Sequence, residues 1–191
     1  KSPVEVIGTF NRPNLSYACR ERTTPDRDLR PLLVGSNSST IVYATTIKDV
    51  EMLAEKIEGW GVAAAAYHAQ LPLERREETH RRFLHDELPV VVATVAFGMG
   101  IDKPDVRRII HYGLPKTMDE YYQQSGRAGR DGAPAESMML FGEDDIRMRR
   151  MFIDDEDTDM DHKLREHRRL DSMIAFCETP ACRRSVLLSY F

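Results

Sequence analysis

The residues with the clearest chemical potential lie in Gln123-Gln124-Ser125-Gly126-Arg127-Ala128-Gly129-Arg130-Asp131-Gly132. Two arginines three positions apart sit on neighbouring faces of a helix end. Gly126 and Gly129 remove side chains that would block the approach of a ligand or another backbone. A guanidinium keeps its charge, and its forked donors match the oxygens of a phosphoryl group or a carboxylate. Standing alone, the pattern is better read as helix-end arginines in surface ion pairs. A second segment narrows the choice. Ala93-Thr94-Val95-Ala96-Phe97-Gly98-Met99-Gly100-Ile101-Asp102-Lys103-Pro104 is a buried strand running into a Gly-rich turn, followed by an acid and a proline. Such a turn offers backbone N–H groups and small hydroxyls at the carboxyl end of a parallel sheet, where ligands of α/β proteins bind.

The surrounding sequence supplies the elements that would hold these segments. Short β-branched runs at Val4–Thr9, Thr40–Ala44, Val62–Ala66, Val90–Thr94, Arg107–Tyr112 and Ser137–Phe141 read as strands. Val90-Val91-Val92-Ala93 is apolar at successive positions, as expected in mid-sheet where both faces are covered. Ile47, Val50, Leu53, Ala54 and Ile57 repeat at helical spacing, with Thr45 or Thr46 as the cap. Further helices are expected from Pro72 to Leu84, Met118 to Arg127 and Glu143 to Phe152. Strand–helix alternation predicts a doubly wound, parallel α/β fold. Asp154-Asp155-Glu156-Asp157-Thr158-Asp159 reads as a solvated linker, since it lacks the Gly and terminal Glu of a calcium loop. From Lys163 two helical stretches follow, broken near Thr179-Pro180.

The arginine segment and the Gly-rich turn together closely resemble motifs VI and V of RecQ-type DNA helicases, within the superfamily-two class. Arg12-Pro13-Asn14-Leu15, Ile41-Val42-Tyr43 and Ala66-Tyr67-His68-Ala69 agree with that pattern, and Cys182-Arg183-Arg184 followed by Leu187-Leu188-Ser189-Tyr190-Phe191 is similar to the opening of the RecQ zinc-binding subdomain. The resemblance implies a second RecA-like motor lobe over residues 1–152, an acidic linker over 153–162 and a truncated helical start of the zinc module over 163–191. It implies ATP with Mg²⁺ bound mainly by helicase lobe 1 of the same polypeptide, and 3′-to-5′ unwinding of DNA. By motif position, Arg130 is the arginine finger and Arg127 its neighbour on the triphosphate; Gln123, Gly126, Gly100 and Asp102 face the nucleotide cleft. Thr94, Thr45 and His68 are expected at single-stranded DNA, as phosphate contacts without sequence content. Forked or duplex DNA is the wider partner. Cys182 matches the first of four Zn²⁺ ligands, with the others expected beyond Phe191. Cys19 and Cys177 read as small buried hydrophobes.

Composition limits the alternatives. A net charge of −4 argues against a polybasic binder but permits a local cationic groove. Three cysteines are too few and too uneven for a disulfide framework, which favours a reducing compartment: the nucleus of a eukaryote or the bacterial cytoplasm. No apolar run reaches the roughly 18 residues of a membrane span. Gly35-Ser36-Asn37-Ser38-Ser39-Thr40 lacks the Lys of a P-loop and precedes a strand instead of following one, so the chain carries half of an ATP site. Two other readings remain open: a DEAD-box RNA helicase lobe, whose motif VI commonly begins His-Arg-x-Gly-Arg, and a non-catalytic docking module.

Overall fold

A computed structural model describes residues 11–98 and 102–191. The elements run β1 Leu15–Glu21, α1 Pro25–Asp28, α2 Arg30–Leu33, β2 Thr40–Ala44, α3 Ile47–Gly59, β3 Ala64–Tyr67, α4 Leu73–Leu84, β4 Val90–Ala93, β5 Arg108–Tyr112, α5 Met118–Ser125, β6 Ala135–Phe141, α6 Glu143–Asp155, α7 Met160–Glu178 and α8 Arg183–Tyr190. The six strands form one sheet in the order β1-β6-β5-β2-β4-β3. Every pairing is parallel. The doubly wound α/β expectation is met.

Alternation along the strands explains the two covered faces. Val42, Ala44, Val90 and Val92 pack with Leu33 of α2 and Val50, Leu53 and Ile57 of α3. Ile41, Tyr43, Val91 and Ala93 turn to the other face, against Phe83 of α4 and Phe97. A third apolar cluster joins Leu114, Met118, Tyr121 and Met139 to Leu170, Met173 and Phe176 of α7 and Leu187 of α8. The C-terminal helices therefore share a core with the lobe.

Several boundaries differ from the sequence expectation. The Val62–Ala66 strand is Ala64–Tyr67, because Val62 closes the turn after α3 by donating its N–H to Ile57 O. The helix expected to reach Arg127 ends at Ser125, with Gly126 as its cap. Pro72 caps α4 from outside its first turn. The helix expected to stop at Phe152 continues to Asp155, so the acidic run begins inside α6. Its last member, Asp159, caps α7 by accepting from His162 N, and α7 thus begins at Met160 instead of Lys163. Thr46, not Thr45, caps α3, its hydroxyl oxygen accepting from Asp49 N at 3.1 Å. Strand β1 is an addition: only its first residue is fully buried, so Leu-Ser-Tyr-Ala-Cys-Arg-Glu lacks the apolar run that marks β4. The strand expected over Val4–Thr9 lies outside the described residues.

Candidate functional site

The arginine segment begins in the last turn of α5 and leads to β6. Gly129 has φ +58, and a Cβ there would lie 2.6 Å from Asn14 Nδ2 and 2.9 Å from Ala133 O and Ala135 Cβ. Both the backbone conformation and the space therefore demand glycine. Gly126 is less constrained: it is right-handed, and a Cβ would meet Tyr122 O at 3.2 Å. The loop is fastened from both sides. Gly129 N donates to Val106 O at 2.8 Å and Asp131 N to Pro104 O at 3.2 Å, tying it to the segment after the Gly-rich turn. Asn14 Nδ2 donates to Gly129 O and Ala133 O, each at 2.8 Å.

The two arginines have different surroundings. Arg127 reaches back to the turn after β4, where its Nη1 donates to Gly98 O at 2.6 Å. A Cβ on Gly98 would stand 2.6 Å from Arg127 Nη2, so that glycine makes room for the guanidinium. Arg127 Nε is buried without a hydrogen-bond acceptor among the described residues. Arg130 is 36% exposed and its Nη1 lies 3.1 Å from Oδ1 of Asp102, which is 93% exposed. An exposed pair of this kind contributes little to stability. Arg130 and Asp102 thus meet at the surface, while Arg127 braces the turn.

The turn itself rests on Phe97, 1% exposed, in contact with the rings of Tyr67 at 4.5 Å and Phe83 at 5.8 Å. Tyr43 donates its hydroxyl to Phe97 O at 2.9 Å, and burial pushes that phenol up to about 12, keeping it a donor. After the turn, Lys103 is 3% exposed and fixed to Asp86 at 2.7 Å and Asp105 at 3.1 Å. Asp86 has φ +60, so this anchor sits on an uncommon backbone conformation.

Of the remaining expected residues, Gln123 is exposed, whereas its neighbour Gln124 is buried and donates to Glu120 Oε1 at 2.9 Å. Gly100 lies outside the described residues. Thr45 and Thr94 are half-buried and share a small cleft of about 110 Å³ at the carboxyl ends of β2, β4 and β5, together with Lys116 and Arg149. The sequence reading missed the last two. Lys116 lies in a loop, and Arg149 points to the cleft only because α6 packs across it, donating from Nε and Nη2 to Leu114 O at 2.9 and 2.6 Å. His68 does not join them: it is 3% exposed, with Nε2 3.3 Å from Glu51 Oε1 of α3. Cys182 is exposed at the start of α8, where the Ser185 N–H, the Ser185 hydroxyl and the Arg184 N–H hold its thiol below the usual range. No group of three or more His, Cys, Asp or Glu that could hold a metal occurs among the described residues. Cys177 is buried and Cys19 half-buried in the third apolar cluster, as expected of small hydrophobes.

The family model of the helicase conserved C-terminal domain matches residues 26–132, from α1 through the arginine loop, and the RecQ zinc-binding model matches residues 143–191. The chain belongs to the helicase C-terminal domain family, in its RecQ type. It is similar to the ATP-dependent DNA helicase RecQ of Pasteurella multocida, 39% identical over all of this chain and 30% of the relative. It is likewise similar to the ATP-dependent DNA helicase Q1 of Pongo abelii, at 40% identity over 96% of this chain and 28% of that protein. The chain thus spans about a third of the length of these curated relatives. In fold it resembles the crystal structure of a DEAD box protein from Methanococcus jannaschii, with a TM-score of 0.59, 26% identity and coverage of 72% of this chain and 39% of that one. The extension that carries α7 and α8 falls within the zinc-binding match, and here it packs directly against the RecQ-type lobe.

Proposed function

We propose that this chain is the second motor lobe of an ATP-dependent, 3′-to-5′ DNA helicase and supplies an arginine finger to the ATP bound by the first lobe. The observation that carries this reading is the surface pairing of Arg130 with Asp102 on a loop immobilised by backbone hydrogen bonds. A carboxylate oxygen already occupies the place on the guanidinium that a phosphoryl oxygen would take. Exchanging one exposed acceptor for the other costs little, and the phosphoryl group would gain a forked, permanently charged donor as negative charge spreads over its oxygens. Arg127 acts beside it, bracing the turn at Gly98 and presenting its remaining donors toward the cleft. Asp102 and Gly126 would line that cleft, with Gly100 assigned to it by motif position alone; Gln123, exposed one turn before Arg127, would contact the nucleotide side from α5.

Single-stranded DNA would cross the carboxyl ends of the strands. Thr45, Thr94, Lys116 and Arg149 offer hydroxyl and cationic donors there, suited to phosphates. His68, assigned to this surface by motif position, lies buried beside Glu51 of α3 and would reach DNA only if that contact opens. ATP turnover would open and close the cleft between the lobes, shifting two sets of phosphate contacts in turn. Cys182, with its thiol biased toward the thiolate, would contribute one ligand to a structural zinc site completed by residues outside this chain. Forked and duplex DNA in repair, recombination or replication is the substrate class, in the nucleus or the nucleoid.

The test uses the full helicase. Arg130→Ala is expected to lower DNA-stimulated ATP hydrolysis by about 10³-fold or more while leaving equilibrium binding of a fluorescent ATP analogue nearly unchanged. Arg130→Lys should rescue poorly, since one ammonium cannot reproduce the planar fork. Near-normal hydrolysis in Arg130→Ala would remove the finger role from this residue.

A further inference from the structure

The arginine loop is held by a residue more than a hundred positions away in sequence. Arg12 Nη1 donates to Gly126 O at 3.3 Å, and its Nη2 donates to Ala128 O at 3.0 Å and Gly129 O at 2.8 Å. These carbonyls bracket Arg127 and immediately precede Arg130. They lie just past the end of α5, where helical carbonyls lose their intrahelical partners and a cation is favoured. One guanidinium therefore makes three of the hydrogen bonds that hold the short segment on which both arginines stand. An ammonium on the same stem could not span three carbonyls from two nitrogens.

The segment that carries Arg12 is in turn bonded by a residue of the C-terminal extension. Arg184 of α8 donates from Nη2 to Leu15 O at 2.6 Å and Pro13 O at 3.3 Å, and from Nη1 to Asn11 Oδ1 at 3.4 Å. Its helix is fixed by Leu187, 1% exposed in the third cluster, and by Arg183, which donates to Cys177 O at 3.0 Å. The contacts thus run without a break from α8 through Arg184 to residues 11–15, through Arg12 to the carbonyls of 126, 128 and 129, and so to Arg127 and Arg130.

We infer that Arg12 and Arg184 are positioning residues for the arginine pair, and that the placement of α8 is transmitted through them to the nucleotide-facing loop. The inference rests on the finger reading above. A displacement of about 1 Å in a reacting group can cost on the order of 10²-fold in rate, so a small relaxation of this loop is enough to matter.

The experiment measures DNA-stimulated ATP hydrolysis, equilibrium binding of a fluorescent ATP analogue and thermal unfolding in the full helicase. Arg12→Ala is expected to lower kcat by about 10- to 10²-fold with nucleotide affinity little changed, and Arg184→Ala to lower it in the same direction by less. Arg12→Lys should recover little. Added to a background already lacking both Arg127 and Arg130, Arg12→Ala should cause no further loss, because residues acting through one another are not additive. A purely structural role would instead lower the melting temperature and move affinity and kcat together, and that result overturns the inference. So does an undiminished kcat in Arg12→Ala and Arg184→Ala while Arg130→Ala is crippled, or an additive loss in the combined variant. Near-normal turnover in Arg130→Ala would sink the finger reading first and take this inference with it. Should Arg12→Ala fail to fold, Arg12→Lys and Arg184→Ala decide by the same split between kcat and affinity.

Discussion

The loop over 126–132 and the helical extension α7–α8 sit on the same lobe but are held by opposite means. The loop is fixed largely by donors reaching backbone carbonyls, from Arg12, Asn14 and the N–H groups of Gly129 and Asp131, with Ala128 buried in the second apolar cluster and Asp131 paired with Arg107. The extension is fixed chiefly by apolar side chains, with Leu170, Met173, Phe176 and Leu187 all at or below 1% exposure, and Arg183 and Arg184 adding donors to carbonyls. Hydrophobic burial is strong but non-directional, which suits an extension that must stay attached. Hydrogen bonds are individually modest but directional, which would suit a loop that aims two guanidinium groups, as the finger proposal requires. Stability and aim are thus assigned to different regions and different forces.

The largest stability effect should come from the extension. Phe176 is 1% exposed with its ring centroid 5.1 Å from that of Tyr121, and Phe176→Ala should cost about 3–5 kcal/mol in urea denaturation. Because Tyr121 belongs to the lobe helix α5, unfolding should remain a single transition; a separate early transition of α7–α8 would show that the two parts do not share a core. Gly129→Ala probes the loop. A left-handed backbone and the close approach of Asn14, Ala133 and Ala135 set its cost at about 2–4 kcal/mol, smaller than for Phe176, yet it should abolish DNA-stimulated hydrolysis in the full helicase. Activity surviving with the stability lost would break the division between aim and stability.

His111 lies where the two regions meet, its ring 5.7 Å from Tyr43 on the site side and 4.9 Å from Tyr121 on the extension side. Complete burial lowers its pKa to about 3. The folded value lies below the ordinary value near 6.5, so the unfolded chain binds more protons between the two. Stability from this group is therefore complete above about pH 6.5 and is lost as pH falls, by about 1.4 kcal/mol per pH unit. Between pH 7 and 5 the loss should be about 2 kcal/mol, and His111→Phe should flatten that slope. An unchanged slope would mean that the junction opens before His111 is protonated.

The strands Thr40–Ala44 and Val90–Ala93 were legible because a mid-sheet strand leaves a run of β-branched residues, and the helical period of α3 was equally direct. Strand β1 was not, since an edge strand with one buried residue carries no such run. The arginine pair stood out only through the family motif, because residue types and spacing alone describe surface ion pairs at least as readily. Its division of labour was not legible: Arg127 bracing Gly98 and Arg130 meeting Asp102 depend on how two loops from different strands come together.

The sequence by itself therefore determined the parallel α/β class and the family pattern, both of which are encoded within short windows of neighbouring residues. Tertiary structure alone decided that His68 is buried against Glu51, that Lys116 and Arg149 join Thr45 and Thr94, and that Arg184, Arg12 and the arginine loop form one line of contacts. Each of those outcomes depends on donors and acceptors separated by many residues, and local propensity carries no record of which distant carbonyl a guanidinium will find.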